Sequence, residues 1–173
     1  MNLVHCSYER HAGAILEIFN DAILTSTALY DYKARTMENM VKWFEVKQAG
    51  GFPVIGFEDA VGTLLGFASY GSFRAFPAYK YTVEHSVYVH KDHRGRGLAR
   101  KLMNELIDVA RQRDVHAMVG AIDATNPASI ALHEQLGFKL VGTLPQVGFK
   151  FGRWLDLAFY QLLLETPLKP VDG

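Results

Sequence analysis

Apolar positions recur along this chain with two different periods, and the changes between them delimit the predicted elements. A spacing of about 3.6 residues predicts helices over residues 12–24, 37–50, 98–113 and 128–136. Runs of β-branched, aromatic and other apolar residues predict strands at residues 3–7, 53–57, 63–70, 81–89, 115–122, 138–147 and 154–164. The chain is therefore expected to combine helices and strands throughout its length.

The most informative change of period falls between His90 and Gly97. Residues 87–89, Val-Tyr-Val, suit a strand, whereas the leucines from Leu98 onward recur at helical spacing. Gly95 and Gly97 let the backbone come close to an anion, and the first amides of the following helix have no acceptors within it. This strand, turn and helix are therefore predicted to bind phosphate.

The spacing of this loop excludes two common nucleotide motifs. A P-loop requires Gly-Lys followed by Ser or Thr, but Gly97 is followed by Leu98 and Ala99. A dinucleotide fingerprint requires a third glycine or alanine at the position of Arg100. What remains is the pattern Arg94-x-x-Gly97-x-Ala99, a short basic loop suited to one pyrophosphate group.

Composition limits the size of the protein and its partners. With 173 residues and 49% hydrophobic content, the chain suits one domain, residues 1–173, with a full core. Its 18 basic and 18 acidic residues cancel, so no net field attracts nucleic acid or an anionic membrane. The first residues lack a secretory pattern and no apolar run is long enough to span a bilayer, so a cytoplasmic location is expected.

Neither cysteine nor metal chemistry is predicted. Cys6 is the single cysteine, so no internal disulfide can form, and its place in the first predicted strand suits a small buried hydrophobe. The seven histidines form no His-x-x-x-His pair on a helix and stand beside no carboxylate cluster. No bound metal is therefore expected.

Several blocks of the sequence resemble a known family. The pattern Arg94-x-x-Gly97-x-Ala99 after Val-Tyr-Val resembles the acetyl-coenzyme A (acetyl-CoA) signature of the GNAT superfamily of N-acetyltransferases. Residues 126–129 (Asn-Pro-Ala-Ser) and 132–138 (Leu-His-Glu-Gln-Leu-Gly-Phe) are similar to that superfamily's later motif. Residues 81–89 and 148–156 narrow the resemblance to the phosphinothricin and methionine sulfoximine acetyltransferases, and the likeness extends from the first strand to about Leu164.

The resemblance implies a fold, a co-substrate and an assembly. The fold is α/β (α+β), a mixed and mostly antiparallel sheet that splays at the central strand, with helices on both faces. The co-substrate is acetyl-CoA, without a metal, and the assembly is a homodimer whose subunits meet near the turn at residues 148–153. The residues expected to contact the coenzyme are Val87, Tyr88, Val89, Arg94, Gly95, Arg96, Gly97, Leu98, Ala99, Arg100, Asn126 and Ser129. Because Asn126 precedes Pro127, capping of a helix alone could also account for it.

An arginine in an aromatic loop is the first candidate substrate contact. Arg74 lies near Phe73, Phe76 and Tyr79, just before the predicted central strand. A solvated arginine is the ordinary interpretation, but a planar guanidinium shielded by rings is also suited to a carboxylate. The resemblance implies a small amino-acid acceptor of the methionine sulfoximine, methionine sulfone or phosphinothricin type. It places the family's substrate-binding segment on Arg74, Ala75, Phe76 and Pro77.

Glu84, in the middle of the predicted central strand, is the candidate general base. Strand alternation places Glu84, Ser86 and Tyr88 on one face. A carboxylate there either pairs with a neighbouring cation or faces the cleft and accepts the proton of a substrate ammonium. The resemblance favours the second interpretation, and His85 and Ser86 are then expected to be adjacent wall residues of the substrate site.

The general acid has several candidates. Where many GNAT enzymes carry a tyrosine that protonates the departing thiolate, this chain has His133. Coenzyme A is already a fair leaving group near neutral pH, so Tyr88 or solvent are alternatives to His133. The predicted activity is acetyl-CoA-dependent N-acetylation of the α-amine of a small amino acid by direct transfer. The alternatives are a protein or peptide N-acetyltransferase and a non-catalytic acyl-CoA-binding sensor.

Overall fold

The computed structural model describes all residues from Met1 to Gly173 and contains seven strands and four α-helices. The strands are β1 (Asn2–His5), β2 (Val54–Glu58), β3 (Leu64–Ser72), β4 (Thr82–Val89), β5 (Ala117–Asp123), β6 (Lys139–Lys150) and β7 (Arg153–Leu163). The helices are α1 (Tyr8–Thr25), α2 (Met37–Ala49), α3 (Leu98–Gln112) and α4 (Pro127–Gln135). None of these helices has the length and apolar character needed to cross a bilayer. Every predicted helix and strand is present, in the predicted order.

Local sequence explains where the helices begin. The α1 helix starts directly after Ser7, earlier than predicted, because the Ser7 side chain caps the amides of its first turn. Thr36 and Asn39 form a capping box at the start of α2. Asn126 caps α4 by accepting a hydrogen bond from the amide of Ser129 at 3.1 Å. The predicted caps at Thr36 and Asn126 are therefore confirmed.

The strands form one sheet in the order β1-β2-β3-β4-β5-β7-β6. The β1 and β2 strands, β2 and β3, β5 and β7, and β6 and β7 are antiparallel pairs. The β4 and β5 strands are parallel, with Glu84 opposite Val119, and the chain passes through α3 between them. A mixed, mostly antiparallel sheet with β4 at its centre confirms the predicted fold class.

The first of two compact units comprises Met1–Ser69 and Ser86–Leu106. An aromatic cluster forms much of its core. Phe19 lies edge-on to Trp43, Phe67 and Tyr88, with ring centroids 5.4, 5.1 and 5.3 Å away. Such edge-to-face contacts stabilise a core beyond the burial of area alone. They also fix the ring of Tyr88 in the packing of this unit.

The second unit comprises Tyr70–His85 and Ile107–Gly173. Its β5 and β7 strands bury Met118 and Tyr160 on one face. Because side chains alternate along a strand, Val119 and Gln161 project from the opposite face. The β6 strand forms one edge of the sheet and is exposed along most of its length. One face of this part of the sheet is therefore buried, and the opposite face carries side chains that line the pocket described next.

Candidate active site

The predicted phosphate loop lies in the first unit, between β4 and α3. Gly95 and Gly97 have φ angles of +74° and +73°, in the left-handed region where other residues are strained. No atom lies within 4 Å of the place that a Cβ would take at either glycine, so the loop surface is open. The α3 helix then begins at Leu98 with no acidic residue in its first turn. Free amides at this helix start fit an anion such as pyrophosphate.

Arg94 is oriented by two contacts within the same unit. Its Nη2 lies 2.7 Å from Asp21 Oδ2, and its Nε donates to the Val89 carbonyl at 3.2 Å. Arg96 and Arg100 are exposed and form no salt bridge. With Arg94 held by Asp21, Arg96 and Arg100 are the cations of this loop that can turn towards a phosphate.

The second half of β4 passes close to another strand at Gly66. A Cβ on Gly66 would lie 2.8 Å from the Tyr88 carbonyl oxygen and 3.1 Å from the Val89 Cα. A side chain at Gly66 would therefore displace the β4 backbone beside the predicted coenzyme contacts. Sequence reasoning missed Gly66, although an isolated glycine inside a strand is a signal of close backbone approach.

Asn126 and Ser129 lie in the first turn of α4, in the second unit. The Asn126 carboxamide oxygen accepts the hydrogen bond from the Ser129 amide that caps the helix. Asn126 therefore caps the helix, which was one of the two roles expected for it. Because the cap uses only the oxygen, the Nδ2 group can still donate, and capping is compatible with a coenzyme contact.

A pocket of about 480 Å³ opens in the second unit. Its polar lining includes Arg74, Thr82, Thr143 and Gln161, and Phe159 forms part of its apolar wall. Arg74 is the one charged residue among those that line it. A pocket of this kind suits a small molecule that carries one negative charge, neutral polar groups and an apolar stem.

The Arg74 guanidinium is held in place by its aromatic neighbours. Its Nη1 donates to the Phe73 carbonyl at 2.7 Å, and its Cζ lies 4.2 Å from the centroid of the Phe73 ring. Phe73 in turn packs edge-on against Tyr79 at 5.6 Å. Arg74 forms no salt bridge, so its remaining N–H groups can bind a carboxylate through two parallel bonds.

By strand alternation, Glu84 projects from the same side of β4 as Thr82, although it is not one of the residues that line the pocket. Thr82, two residues earlier in β4, and Val119, its register partner in β5, both line the pocket. The half-buried Glu84 carboxylate makes no hydrogen bond and no salt bridge, and the cation that acts on it is Arg74. Burial raises the pKa of Glu84 above its usual range, and the nearby Arg74 guanidinium partly lowers it. A carboxylate in this state is suited to accept a proton near neutral pH.

His85 and His133 lie in the interior rather than in the pocket. Their Nε2 atoms are 2.9 Å apart, and the edge of Phe138 packs against both rings. His85 does not line this pocket, because it is buried on the opposite face of β4 to Glu84, and its place in the wall of the substrate site stays a prediction. The burial of His133 also argues against the prediction that it is the general acid, since an acid must reach the leaving group.

The predicted substrate segment contributes only in part. Arg74 lines the pocket, whereas Ala75, Phe76 and Pro77 are exposed residues outside its lining. Ser86 is half-buried and follows Glu84 on the same side of β4 by alternation. The pocket residues that sequence reasoning missed are Thr82, Val119, Val141, Gly142, Thr143, Leu144, Phe159 and Gln161. For Thr82, Thr143 and Gln161 the only signal in the sequence is a polar residue within an apolar strand, and the other five give no signal.

Metal and thiol chemistry find no support in this arrangement. The structure contains no group of three or more His, Cys, Asp or Glu side chains that could hold a metal ion. Burial, reinforced by the charge of Glu58, raises the pKa of Cys6 to about 12. A thiol with such a pKa is not a nucleophile at neutral pH.

Comparisons with known proteins agree with these features. The family described as acetyltransferase (GNAT) matches residues 15–138. The chain is 48% identical to an L-methionine sulfoximine/L-methionine sulfone acetyltransferase of Salmonella typhimurium over 158 residues, 91% of this chain and 92% of that protein. It is 47% identical to L-amino acid N-acyltransferase MnaT of Escherichia coli over 158 residues, 91% of each. The crystal structure of a GNAT superfamily phosphinothricin acetyltransferase from Sinorhizobium meliloti in complex with acetyl-CoA matches with a TM-score of 0.93 at 33% identity, covering 99% of this chain and 94% of that one.

Proposed function

Because this chain belongs to the GNAT family of acetyltransferases, we propose that it transfers the acetyl group of acetyl-CoA to the α-amine of a small L-amino acid. The proposed acceptor has a neutral polar side chain, as L-methionine sulfoximine and L-methionine sulfone have. The observation that carries the proposal is a pocket lined by the oriented guanidinium of Arg74, with the half-buried carboxylate of Glu84 close enough for Arg74 to lower its pKa. We assign residues 1–173 to a single acetyltransferase domain that acts in the cytoplasm.

The charge of the pocket supports a neutral side chain on the acceptor. The α-carboxylate of an amino acid pairs with Arg74, the one charged lining residue, and neutralises it. Thr82, Thr143 and Gln161 can then offer hydrogen bonds to sulfone or sulfoximine oxygen and nitrogen atoms. Phosphinothricin carries a second anion on its phosphinate, for which the pocket lining offers no second cation. The chain is also more similar to the sulfoximine/sulfone acetyltransferase, at 48% identity, than to the phosphinothricin acetyltransferase, at 33%, which likewise supports a neutral side chain on the acceptor.

The residues of the phosphate loop are proposed to hold the coenzyme. GNAT acetyltransferases use acetyl-CoA, which supplies the acetyl thioester. The amides of residues 95–100 grip the pyrophosphate, where the charge of a helix N-terminus contributes about 0.3–1 kcal/mol beyond the hydrogen bonds. Backbone groups of Val87 and Val89 bind the pantetheine arm and polarise the acetyl carbonyl. Asn126 and Ser129 add contacts from α4.

Glu84 is proposed to activate the acceptor. It accepts a proton from the substrate ammonium, directly or through a water molecule, because only the neutral amine is nucleophilic. The amine then attacks the acetyl carbonyl directly, since burial raises the pKa of the Cys6 thiol to about 12 and so makes it a poor nucleophile at neutral pH. Solvent supplies the proton of the departing thiolate, and Ser86 forms part of the wall beside Glu84.

We also propose that two copies associate through the β6–β7 hairpin. This hairpin exposes a stripe of large apolar side chains, with Val147 at 52%, Phe149 at 47%, Phe151 at 59% and Trp154 at 60% of full exposure. An edge strand that presents such a stripe to water is prone to associate. A second copy of the chain, with the same hairpin, matches it through a two-fold axis.

The test is thiol release from acetyl-CoA with L-methionine sulfoximine, L-phosphinothricin or a lysine peptide as acceptor. We expect the highest kcat/KM with the sulfoximine, and its loss in Glu84→Gln but not in the matched control Glu45→Gln, at an exposed position of α2. Turnover of the peptide alone would move the function to protein acetylation. Tight binding of acetyl-CoA without any turnover would favour a non-catalytic sensor and would refute the proposal that the protein is an enzyme.

A further inference from the structure

Two histidines of the second unit meet on the face of the sheet opposite to the pocket. His85 in β4 is 8% exposed and His133 in α4 is 2% exposed. Their Nε2 atoms lie 2.9 Å apart, and His133 Nδ1 lies 2.7 Å from the Ser129 carbonyl oxygen, one turn earlier in α4. These two short contacts determine where the protons lie.

The hydrogen bonds fix the tautomer of each ring. A carbonyl oxygen only accepts, so His133 carries its hydrogen on Nδ1 and, as a neutral ring, has a lone pair on Nε2. His85 must then donate through its Nε2–H, because two lone pairs at 2.9 Å would repel. The lone pair left on His85 Nδ1 is buried and has no hydrogen-bond partner.

The surroundings keep the pair neutral and closely packed. Burial lowers the pKa of His133, although its bond to the Ser129 carbonyl opposes this, and burial together with His133 lowers the pKa of His85 to about 3. Phe138 and Tyr160 pack against His133, and the neighbouring charge of Glu84 projects from the other face. A Cβ on Gly120 would lie 2.8 Å from His85 Nε2 and 3.0 Å from His133 Nε2, so only glycine fits beneath the pair.

We propose that His85 and His133 are positioning residues whose neutral hydrogen bond fixes Glu84 and the first turn of α4. From His85 the bonds continue through His133 to the Ser129 carbonyl, and the Ser129 amide donates to Asn126. Because side chains alternate along a strand, anchoring His85 on the interior face holds Glu84 towards the pocket. The series ends at a carbonyl oxygen that takes up no proton, so it is not a proton relay.

This role rests on the proposed function, in which Glu84 is the base and Asn126 and Ser129 contact acetyl-CoA. The arrangement of protons does not rest on it and can be measured by itself. Long-range ¹H–¹⁵N NMR spectra of the labelled protein, recorded between about pH 5 and 9, report the tautomer and ionisation of each histidine. We expect His133 protonated on Nδ1 and His85 on Nε2 throughout. A His133 that becomes charged near pH 7, or that carries its proton on Nε2, would overturn the proposal.

Variants at His85 test the positioning. His85→Leu fills the buried position with an apolar side chain and removes the donor, whereas His85→Gln keeps an N–H near the position of Nε2. We expect the leucine variant to lower kcat and to raise the Kd for acetyl-CoA, measured by calorimetry, each on the order of 10- to 100-fold. The glutamine variant should have a kcat and a Kd for acetyl-CoA close to those of the wild type. Unchanged kcat and Kd in His85→Leu would exclude a positioning role.

Gly120→Ala provides a second disruption of the same contact without removing either histidine. We expect it to lower kcat and raise the Kd as His85→Leu does, whereas Gly13→Ala, at a helical position with nothing within 4 Å, should leave kcat and Kd unchanged.

If His133→Gln removed only the basic limb of the pH profile of kcat, His133 would be a general acid and the proposal would fail. If the wild type acetylated no amino acid, the proposed function would fail, while the tautomers and the Kd would still decide the role of the pair. If His85→Leu did not fold, Gly120→Ala and His85→Gln would supply the comparison.

Discussion

Glu84 and His85 are neighbours in β4, but the carboxylate lies near Arg74 while the imidazole contacts His133 in the interior. The alternation of side chains along a strand produces this division. One face of β4 therefore carries the group proposed to accept a proton, and the other carries the group proposed to hold it in place. Substitutions at these adjacent positions are expected to have different kinetic consequences.

Glu84→Gln is expected to lower kcat by about 10²- to 10⁴-fold, the usual contribution of a general base. The amide keeps the size of the carboxylate, so the fold and the Kd for acetyl-CoA should not change. Steady-state kinetics with L-methionine sulfone, alongside Glu45→Gln, measures this effect. Wild-type kcat in Glu84→Gln would show that the substrate amine loses its proton elsewhere.

The pH dependence of kcat/KM should report Glu84 and respond to Arg74. The base must be ionised, so activity rises with pH through the pKa of Glu84, which burial places above its usual range. Arg74 lowers this pKa, and Arg74→Ala should therefore move the acidic limb to higher pH. Profiles of both enzymes with the same acceptor test the shift. A limb that stays in place or moves to lower pH would contradict the assignment of Glu84.

Arg74→Ala should also weaken binding of the acceptor. Hydrogen bonds to a charged group contribute about 1.5–3 kcal/mol, so the KM for L-methionine sulfone should rise about 10- to 100-fold. The KM of Arg74→Lys should lie between those of the wild type and Arg74→Ala, because a lysine keeps the charge but not the paired geometry. Arg111→Ala, an exposed arginine of α3 that pairs with Asp108, is the matched control. An unchanged KM in Arg74→Ala would exclude the carboxylate contact.

Gly97→Ala is expected to weaken binding of acetyl-CoA. Gly97 has a φ of +73°, where a residue with a Cβ is strained by about 1–2 kcal/mol. Relaxation of that strain would turn the loop amides away from the pyrophosphate and raise the Kd, which calorimetry measures. Gly13→Ala is again the control. The phosphate role of the loop would be refuted by a Kd equal to that of the wild type.

Val147→Lys tests the proposed dimer. Val147 lies in the exposed apolar stripe of the β6–β7 hairpin, and a charge there should oppose association with a second copy. Light scattering coupled to size exclusion should find a dimer for the wild type and for Val61→Lys, an 86% exposed position outside β6 and β7. It should find a monomer for Val147→Lys. A monomeric wild type would refute the dimer without affecting the assignment of Glu84.

Much of the fold was predictable because its causes are local. The two hydrophobic periods predicted every α-helix and strand, and the caps at Thr36 and Asn126 were identified from the residues at the helix starts. Gly95 and Gly97 were identified in the same way, since a tight turn before a helix requires left-handed backbone within a few residues. The first turn of α1, directly after Ser7, was not predicted because its polar residues interrupt the helical spacing of apolar positions.

The sequence by itself determined that the protein has this order of elements, a glycine loop before α3, and an acidic residue alternating with His85 in a central strand. Only the tertiary structure decided which faces of the strands enclose the pocket. Gln161 reaches the pocket through the pairing of β7 with β5, and Val119 through the pairing of β5 with β4. His85 meets a partner 48 residues away. Alternation specifies opposite sides of a strand, but the pairing of distant segments determines what lies on each side.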